Sequence, residues 1–414
     1  MSTEENKPRV FYGWVVVAAC FLATLTLGET FWSFGVFFKP LESDFGWSRA
    51  VTSSGYTAFL VGYAISLILG GRLADRHNNP RPILLASAMV SGLGIALCSQ
   101  THSINELRLF LFITGLGSGA TWSVPNAIVM RWFSEHKRAS VALAITTTGV
   151  GVGAVIFAPL INYFIRSFGW RDAFLYFGIM TFVIVLISAL IIRPSPATQT
   201  VWTSPAGFEV PEPGPRNRKA TRAMIAPFLG ITFVVTVAMV SFQAISVHFA
   251  PHAIDEGISA ASAAAALGLM GGFSIPGRLI AGPVSDIMGW RRTLALALFG
   301  IALSIIWLLF LDAAWMLYAF AFCYGICHGI RVPAQMGILQ ERFGLFSLGQ
   351  LIGISTAIGQ LCGAMAPYAA GFIYDQTGSY SVVFYILMAM LVATGLLAIM
   401  IKGQPRPAAK STDH

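Results

Sequence analysis

The chain has 414 residues, of which 56% are hydrophobic and only 11% are charged. A soluble globular protein carries about 25% charged residues, so this composition excludes an ordinary soluble domain and predicts a chain that exposes most of its surface to lipid. The net charge of +8 would suit a nucleic-acid-binding protein, but a membrane protein acquires such an excess from its cytoplasmic loops. We therefore expect a lipid bilayer, and no nucleic acid, around this chain.

Apolar segments follow one another along the whole sequence. A helix needs about 20 such residues to cross a bilayer, and the sequence predicts an all-α membrane protein with twelve transmembrane helices. The five cysteines lie in apolar stretches with no metal-binding spacing, so we expect no metal and no cofactor. The predicted segments cover roughly 12–37, 51–76, 81–100, 106–132, 138–165, 173–193, 223–249, 259–287, 291–311, 314–340, 347–373 and 381–402.

A Pro-rich stretch ending in a basic cluster divides the chain at 194–222. It is typical of a flexible linker, which predicts a six-helix N-terminal half at 1–193 and a six-helix C-terminal half at 223–414 with a short cytoplasmic tail. Lys and Arg concentrate in the N-terminus, the even-numbered loops and the C-terminus. The positive-inside rule then places both termini in the cytoplasm of a multi-pass protein of the cell (inner) membrane.

The two halves repeat one another. GGRLAD at 70–75 ends the second segment, and AGPVSD at 281–286 ends the eighth. Parallel six-helix repeats with pseudo-symmetry predict a binding site at the midplane between the halves. The charged turns after these segments predict a cytoplasmic gate at Asp75, Arg76, Asp286 and Arg291.

Arg278 lies well inside the eighth apolar segment. An arginine at that depth is costly and is normally retained because it faces a polar cavity. No acidic residue lies near it in the segment, since Asp286 is two turns away, and its counterpart in the first half is Leu67. A structural ion pair is the alternative, but an unpaired guanidinium offers bidentate donors to a carboxylate. We predict that Arg278 binds the substrate.

Other polar residues at membrane depth are weaker candidates. His328 is either a cavity residue or part of a helix–helix hydrogen bond, and Tyr324 shares its face at a spacing of i, i+4. Asn126 and Trp122 could line the same cavity or serve packing. Glu29 either exchanges protons or is buried against a Ser, Thr or His partner.

Two further cations are harder to interpret. Lys39 either snorkels at a helix end or has a functional role, in which it attracts anions at the outer mouth or pairs transiently with a proton-carrying group. Arg331, one turn beyond His328, is predicted to snorkel or to hold a turn and not to contact substrate. With Arg278 as the single cation in the cavity we expect a monoanion, whereas a second cation would favour a dianion. His252 is predicted to lie on a surface loop.

Several short stretches resemble a known family. The twelve segments and the charged turns after 70–75 and 281–286 look like the major facilitator superfamily, although Asn78 and Asn79 depart from its loop motif. Within it, the chain resembles the monocarboxylate transporters and their bacterial relatives, including oxalate/formate exchangers. The matching stretches are YGW at 12–14, FFKPL at 37–41, WF at 132–133 with KRA at 137–139, and GRL at 277–279.

The resemblance implies roles for two of these residues. In that family the arginine of the eighth helix pairs with the substrate carboxylate, and the outer lysine is implicated in proton-linked transport. The matching positions are Arg278 and Lys39. The animal transporters carry a coupling aspartate one turn before the arginine, where this chain has Ser274, so that residue does not carry over proton coupling.

We therefore predict a secondary transporter that acts as a monomer by alternating access. Its expected substrate is a small monocarboxylate resembling lactate or pyruvate, moved with a proton through Glu29, His328 or Lys39. The first alternative is an organic-anion exchanger, and an alternative of another class is a carboxylate sensor that does not transport. An enzyme is not expected, since no nucleophile–base pair, metal cluster or nucleotide loop emerges from the sequence.

Overall fold

A computed structural model of the chain describes residues 11–76, 79–133, 138–195, 218–343 and 348–401. These residues form α-helices joined by short turns, with one 3-10 turn at Cys98–Gln100, and they contain no strand. The first helices are α1 (Gly13–Phe45), α2 (Arg49–Arg76), α3 (Arg81–Leu97), α4 (Ile104–Ser118), α5 (Ala120–Trp132), α6 (Ala139–Phe168) and α7 (Trp170–Ile191). The later helices are α8 (Arg218–Asp255), α9 (Ala260–Met288), α10 (Trp290–Leu309), α11 (Ala314–Phe343), α12 (Leu348–Ala364), α13 (Ala366–Thr377) and α14 (Ser381–Met400).

The all-α prediction is confirmed, and the helices match the twelve predicted segments. Eleven helical spans among the described residues are long and apolar enough to cross a membrane. The remaining predicted segment is α11, which is 30 residues long but carries a row of polar side chains that lowers its hydropathy. These side chains are buried inside the protein, so α11 can still cross a bilayer without exposing them to lipid.

Two predicted segments are each broken into a pair of helices. α4 and α5 are separated at Gly119, where an added Cβ would lie 2.5 Å from the backbone nitrogen of Leu67 on α2. α12 and α13 are separated at Met365, just before Pro367, which has no N–H to continue the helical ladder.

Several helices extend beyond the predicted apolar segments. α1 continues through Pro40 to Phe45, and α8 begins at Arg218 and ends at Asp255. Hydropathy marks where the bilayer ends, whereas backbone hydrogen bonding can continue into water. Of the predicted linker, residues 196–217 lie outside the described residues, and residues 218–222 belong to α8.

The predicted halves pack on one another most extensively along two helix pairs. α6 packs on α9 so closely that a Cβ on Gly151 would lie 2.7 Å from the carbonyl oxygen of Gly271. α2 packs on α13, where a Cβ on Gly371 would lie 2.6 Å from the carbonyl carbon of Arg49. Gly151 thus packs between the predicted halves, whereas a Cβ on Gly153 would lie 2.0 Å from the carbonyl oxygen of Leu25 on α1, in the same half.

Candidate functional site

A glycine contact between α9 and α11 positions the central polar residues. A Cβ on Gly277 would lie 2.3 Å from the carbonyl oxygen of Ile326, and one on Gly329 would lie 2.2 Å from that of Ser274. Only a hydrogen fits at both positions, so the two backbones touch there. Arg278 directly follows the first of these glycines, and His328 directly precedes the second.

Arg278 reaches from α9 across to α6. Its Nη1 donates a hydrogen bond of 2.8 Å to the carbonyl oxygen of Thr147, so the guanidinium touches both predicted halves. Its buried Nε has no partner among the described residues. Part of the donor set is therefore available to a ligand, and a planar guanidinium is well suited to a carboxylate.

One face of α11 carries four polar side chains at spacings of i, i+4, i+7 and i+11. Tyr324 and Arg331 are each only 1% exposed, and His328 and Gln335 are each 5% exposed. Arg331 Nη1 donates to Gln335 Oε1 at 3.0 Å, but its Nε and the Nδ1 of His328 find no partner in the described part of the chain. The prediction that Arg331 snorkels was wrong, because its side chain is enclosed by the protein.

Aromatic rings surround His328. Its ring stacks on Tyr324 with centroids 5.9 Å apart and lies 4.7 Å from Phe242 of α8. Trp32 of α1 makes an edge contact with His328 at 5.7 Å and with Phe242 at 5.0 Å. Residues of α1, α8 and α11 thus form an apolar wall around the polar face, as in sites for small ligands.

The central cluster is cationic. Arg278 and Arg331 interact electrostatically with one another and with His328. Neither arginine forms an ion pair with a carboxylate in the described ranges of the chain. An organic anion would supply the missing negative charge.

Asn126 and Trp122 contact one another on α5. The amide Nδ2 of Asn126 donates to the carbonyl oxygen of Trp122 at 2.9 Å, and its Oδ1 has no partner within the described residues. No hydrogen bond in that part of the structure joins this pair to Arg278. The hydrogen bonds of the described residues therefore do not link this pair to the arginine, and its place in the binding site stays a prediction.

Glu29 lies inside the bundle of the first half. It is 5% exposed, and its Oε2 accepts a hydrogen bond of 2.7 Å from Thr181 of α7. A small cavity beside it is lined by Thr30, Ser33 and Tyr56, among other residues. The threonine partner matches one of the two interpretations left open by the sequence, and the cavity beside the carboxyl group is lined mostly by apolar side chains.

Lys39 belongs to an ion-pair cluster far from the arginines of the centre. Its Nζ lies 2.9 Å from Glu42 Oε2 and 2.5 Å from Asp255 Oδ1 of α8. Arg49 of α2 joins both carboxylates, with its Nε 3.1 Å from Glu42 Oε1 and its Nη2 on Asp255. We call this side of the molecule the Arg49 end; the cluster ties α1 and α2 to α8 there.

Asp375 extends the connection to α13. Its two carboxylate oxygens accept the backbone N–H groups of Arg49 and Ala50, each at 2.9 Å. The Arg49 guanidinium also lies 3.6 Å from the ring centroid of Tyr374. A carboxylate at a helix N-terminus satisfies free N–H groups and the helix dipole, so these contacts close the Arg49 end.

The histidines of α8 strengthen the same end. His248 Nε2 donates to the carbonyl oxygen of Pro367 at 2.8 Å, so its Nδ1 accepts from the hydroxyl of Tyr380 at 2.7 Å. His252 is 7% exposed and donates to the carbonyl oxygen of Leu308 at 2.8 Å. The prediction of a surface loop for His252 was wrong, because α8 continues past it and packs on the end of α10.

At the opposite end, Arg291 makes contacts within the second half. Its Nη1 donates to the carbonyl oxygen of Ile401 at 2.9 Å, and its Nε lies 3.5 Å from Glu341 Oε1. Asp286 is exposed and forms no ion pair among the described residues. The side chains of Asp75 and Arg76 lie outside the described residues, so the predicted gate stays a prediction.

Loss of the charge of Arg49 should loosen the Arg49 end. In Arg49→Gln the carboxylates of Glu42 and Asp255 lose one of the two cations that they share and keep Lys39. The cost lies between about 1 kcal/mol for an exposed pair and about 3 kcal/mol for a buried one. We expect faster hydrogen–deuterium exchange at 49–53 and 371–377. Arg171→Gln is the control, since its ion pair with Asp44 at the same end is 43% and 44% exposed. Equal exchange in the two variants would contradict this role.

Comparisons with known proteins agree on one fold. The family profile described as Major Facilitator Superfamily matches residues 20–367 and 231–414. The chain is similar in structure to a D-xylose-proton symporter, with a TM-score of 0.75 at 16% identity over 94% of this chain and 97% of that one. An inward-open xylose transporter from E. coli gives a TM-score of 0.74 at 15% identity, over 96% and 98% of the two chains.

Relatives found by sequence similarity point to one family within this fold. Monocarboxylate transporter 13 from Rattus norvegicus is 26% identical over 95% of this chain and 90% of its own length. Monocarboxylate transporter 11 from Homo sapiens is 26% identical over 95% and 83% of the two chains. Monocarboxylate transporter 12 from Rattus norvegicus is 25% identical over 95% and 86%. The similarity therefore spans nearly the whole of the chain.

Proposed function

The chain belongs to the major facilitator superfamily, and we propose that it carries small organic carboxylates across a membrane by alternating access, with Arg278 binding the carboxylate. The observation that supports this most directly is the partly buried guanidinium between the predicted halves, whose Nε has no partner among the residues that the structure describes. The names of the sequence relatives support the same class of substrate. A carboxylate on Arg278 would gain charge-assisted hydrogen bonds in a site of low dielectric.

In this proposal the aromatic wall defines a small site. Tyr324 and His328 offer polar groups near the arginine, and Trp32 excludes water from one side. Asn126 and Trp122 are proposed to line the site from α5 in another conformation of the carrier. The two six-helix halves, separated by the linker, would rock about this centre.

The first candidate substrate is a lactate- or pyruvate-like monocarboxylate moved with a proton. Import of an anion against a negative interior costs about 2.3 kcal/mol per 100 mV, and a proton cancels that charge. Glu29 has a buried carboxyl group that is hydrogen-bonded to Thr181 and borders a small, mostly apolar cavity. His328 and Lys39 remain alternative carriers, although Lys39 is paired with two carboxylates.

Organic-anion exchange is a second candidate, because the centre holds Arg331 beside Arg278.

For either candidate the cytoplasmic termini predicted from the basic loops would place the Arg49 end on the outer side. The closed Arg49 end then corresponds to a state that is shut to the outside.

Uptake by purified protein in liposomes tests the proposal. We expect saturable uptake of radiolabelled carboxylates, stimulated by unlabelled carboxylate inside, and no uptake of neutral analogues such as the corresponding amides. Liposomes without protein are the control. Equal uptake of acid and amide, or no uptake by well-folded protein, would exclude a carboxylate carrier.

Proton coupling through Glu29 gives a separate prediction. Glu29→Gln keeps the size of the side chain and removes its ability to exchange a proton, so an imposed pH gradient should no longer drive accumulation, while exchange persists at a reduced rate. Thr181→Val removes only the hydrogen-bond donor and should keep the response to the gradient. An unchanged response in Glu29→Gln would move the role to another residue.

A further inference from the structure

The cavity beside Glu29 carries oxygen atoms on its wall and no basic side chain. It has a volume of about 40 Å³ and lies inside the first predicted half, bounded by α1 to α4, α6 and α7. Most of its wall is apolar, but five of the side chains that line it carry oxygen: Glu29, Thr30, Ser33, Tyr56 and Thr114. The described residues that line the cavity include no Lys, Arg or His, so the wall offers a carboxyl group and hydroxyl groups without a positive charge.

The hydroxyl groups of this wall have lone pairs to offer. Thr114 Oγ1 donates its proton to the carbonyl oxygen of Phe110 at 2.9 Å. Thr30 Oγ1 donates to the carbonyl oxygen of Leu27 at 3.3 Å. A hydroxyl group whose proton is bound to a carbonyl group presents only lone pairs to a ligand. Such a set of oxygen acceptors suits a hard cation and not an anion.

Glu29 and Ser33 are the two members of this set with unused bonding capacity. They are four residues apart on α1, so they lie on the same face of the helix. Glu29 Oε2 accepts from Thr181 at 2.7 Å, and the side chain is 5% exposed. Ser33 is 1% exposed, and its Oγ has no hydrogen-bond partner among the described residues. Both groups are therefore available to coordinate one ligand in the cavity.

The charge of Glu29 decides the class of that ligand. Glu29 takes part in no ion pair within the described ranges of the chain, and Tyr56 is the one other titratable side chain on the cavity wall. An ionised carboxylate enclosed by mostly apolar groups is unfavourable without a counter-charge. A monovalent cation neutralises it, whereas a divalent cation would leave a net positive charge enclosed.

We propose that this cavity binds an alkali-metal cation, such as Na⁺ or K⁺, through the carboxylate of Glu29 and the hydroxyl group of Ser33. A cavity of about 40 Å³ has room for roughly two or three water-sized spheres, which is enough for a dehydrated metal ion with one or two waters. An organic cation such as N-methylglucamine is far too large for it. A proton on Glu29 occupies the same carboxylate, so the proton and the metal ion exclude one another.

The same turn of α1 connects the cavity with the proposed carboxylate site. Ser33 lines the cavity, and the ring of its neighbour Trp32 lies 5.7 Å from that of His328. Tyr56 on the cavity wall donates to Gln243 Oε1 of α8 at 3.4 Å, from one predicted half to the other. Occupancy of the cavity thus bears on both contacts, which couples binding of the cation to binding of the substrate. This coupling rests on the proposed carboxylate transport, whereas the cation site itself does not.

Thermal unfolding of the purified protein tests the site without any substrate. A ligand that binds only the folded state raises the melting temperature in a saturable way. We expect this effect with NaCl or KCl, relative to N-methylglucamine chloride at the same ionic strength. It should be lost in Glu29→Gln and shifted to at least tenfold higher salt in Ser33→Ala. Ser91→Ala is the matched control, since Ser91 is also 1% exposed but lies outside the cavity and donates to the carbonyl oxygen of Ser87.

Uptake into liposomes tests the coupling. With a protonophore present and equal pH on both sides, an inward gradient of the metal ion should drive accumulation of a radiolabelled monocarboxylate. In Ser33→Ala the half-saturating concentration of the metal ion should rise at least tenfold. Uptake driven by a pH gradient, measured without the protonophore or metal ions, should stay within twofold of the wild type, because a proton needs only the carboxylate of Glu29.

The results distinguish failure of the inference from failure of the proposed function. Absence of saturable stabilisation by Na⁺ and by K⁺ in the wild type would overturn the cation site and leave carboxylate transport in place. Equal ion affinity in Ser33→Ala and Ser91→Ala would overturn it as well, and this comparison decides the question if Glu29→Gln does not fold. Saturable stabilisation that depends on Ser33, in a protein that takes up no carboxylate, would support the site and overturn the proposed function.

Discussion

Arg278→Gln is expected to abolish carboxylate uptake. The substitution keeps a polar side chain of similar length but removes the permanent charge and the forked donors. Loss of charge-assisted hydrogen bonds of about 1.5–3 kcal/mol each lowers affinity roughly ten- to hundredfold per bond. Saturable uptake in liposomes, and protection of the protein by carboxylate against thermal unfolding, measure this loss.

The contact of Arg278 with α6 makes a charge-preserving control necessary. Because Nη1 bonds to the carbonyl oxygen of Thr147, removal of the guanidinium also removes a link between the predicted halves. Arg278→Lys keeps the charge as a point donor and should retain weak binding with lost selectivity. If Arg278→Gln has the same melting temperature as the wild type and still binds carboxylate, the arginine is not the binding group.

The sequence was sufficient to predict a charged side chain at membrane depth at Arg278, but it did not show that the side chain of Arg331 is enclosed by the protein. An arginine in the middle of an apolar run is visible in any hydropathy pattern. Arg331 lies as far from the end of its predicted segment, 314–340, as Arg278 does from the end of 259–287, but nothing in the sequence shows that its side chain is enclosed by the protein. Hydropathy gives the depth of a residue and not the direction of its side chain. The spacing of Tyr324, His328, Arg331 and Gln335 on one helix face was the signal available.

The Arg49 end shows a second limit of sequence-based prediction. The predicted first segment ended at residue 37, so Lys39 was placed at a helix end, whereas α1 continues through Pro40. The partner of Lys39 is Asp255, more than two hundred residues along the chain, and Asp375 lies further still. Contacts of that kind depend on how helices from the two halves pack, and no local pattern encodes them.

The close contact of α9 with α11 at Gly277 leads to the second prediction with a large expected effect on stability and uptake. In Gly277→Ala the new Cβ would lie 2.3 Å from the carbonyl oxygen of Ile326 and 3.0 Å from the Cα of Gly329. Both neighbours are backbone atoms, so α9 and α11 must separate. Overpacking of this kind costs about 1–3 kcal/mol, and it moves Arg278 and Arg331 relative to each other. We expect a lower melting temperature in detergent and severe loss of uptake.

Gly282→Ala provides a matched control on the same helix. A Cβ at Gly282 meets no heavy atom within 4 Å. Replacement of a helical glycine by alanine is then expected to stabilise the helix by about 0.5–1 kcal/mol, so the two substitutions should shift the melting temperature in opposite directions. An unchanged or raised melting temperature in Gly277→Ala would mean that the close approach of α9 to α11 does not hold the two arginines in place. In that case their separation would depend on other contacts of α11, such as the bond from Arg331 to Gln335.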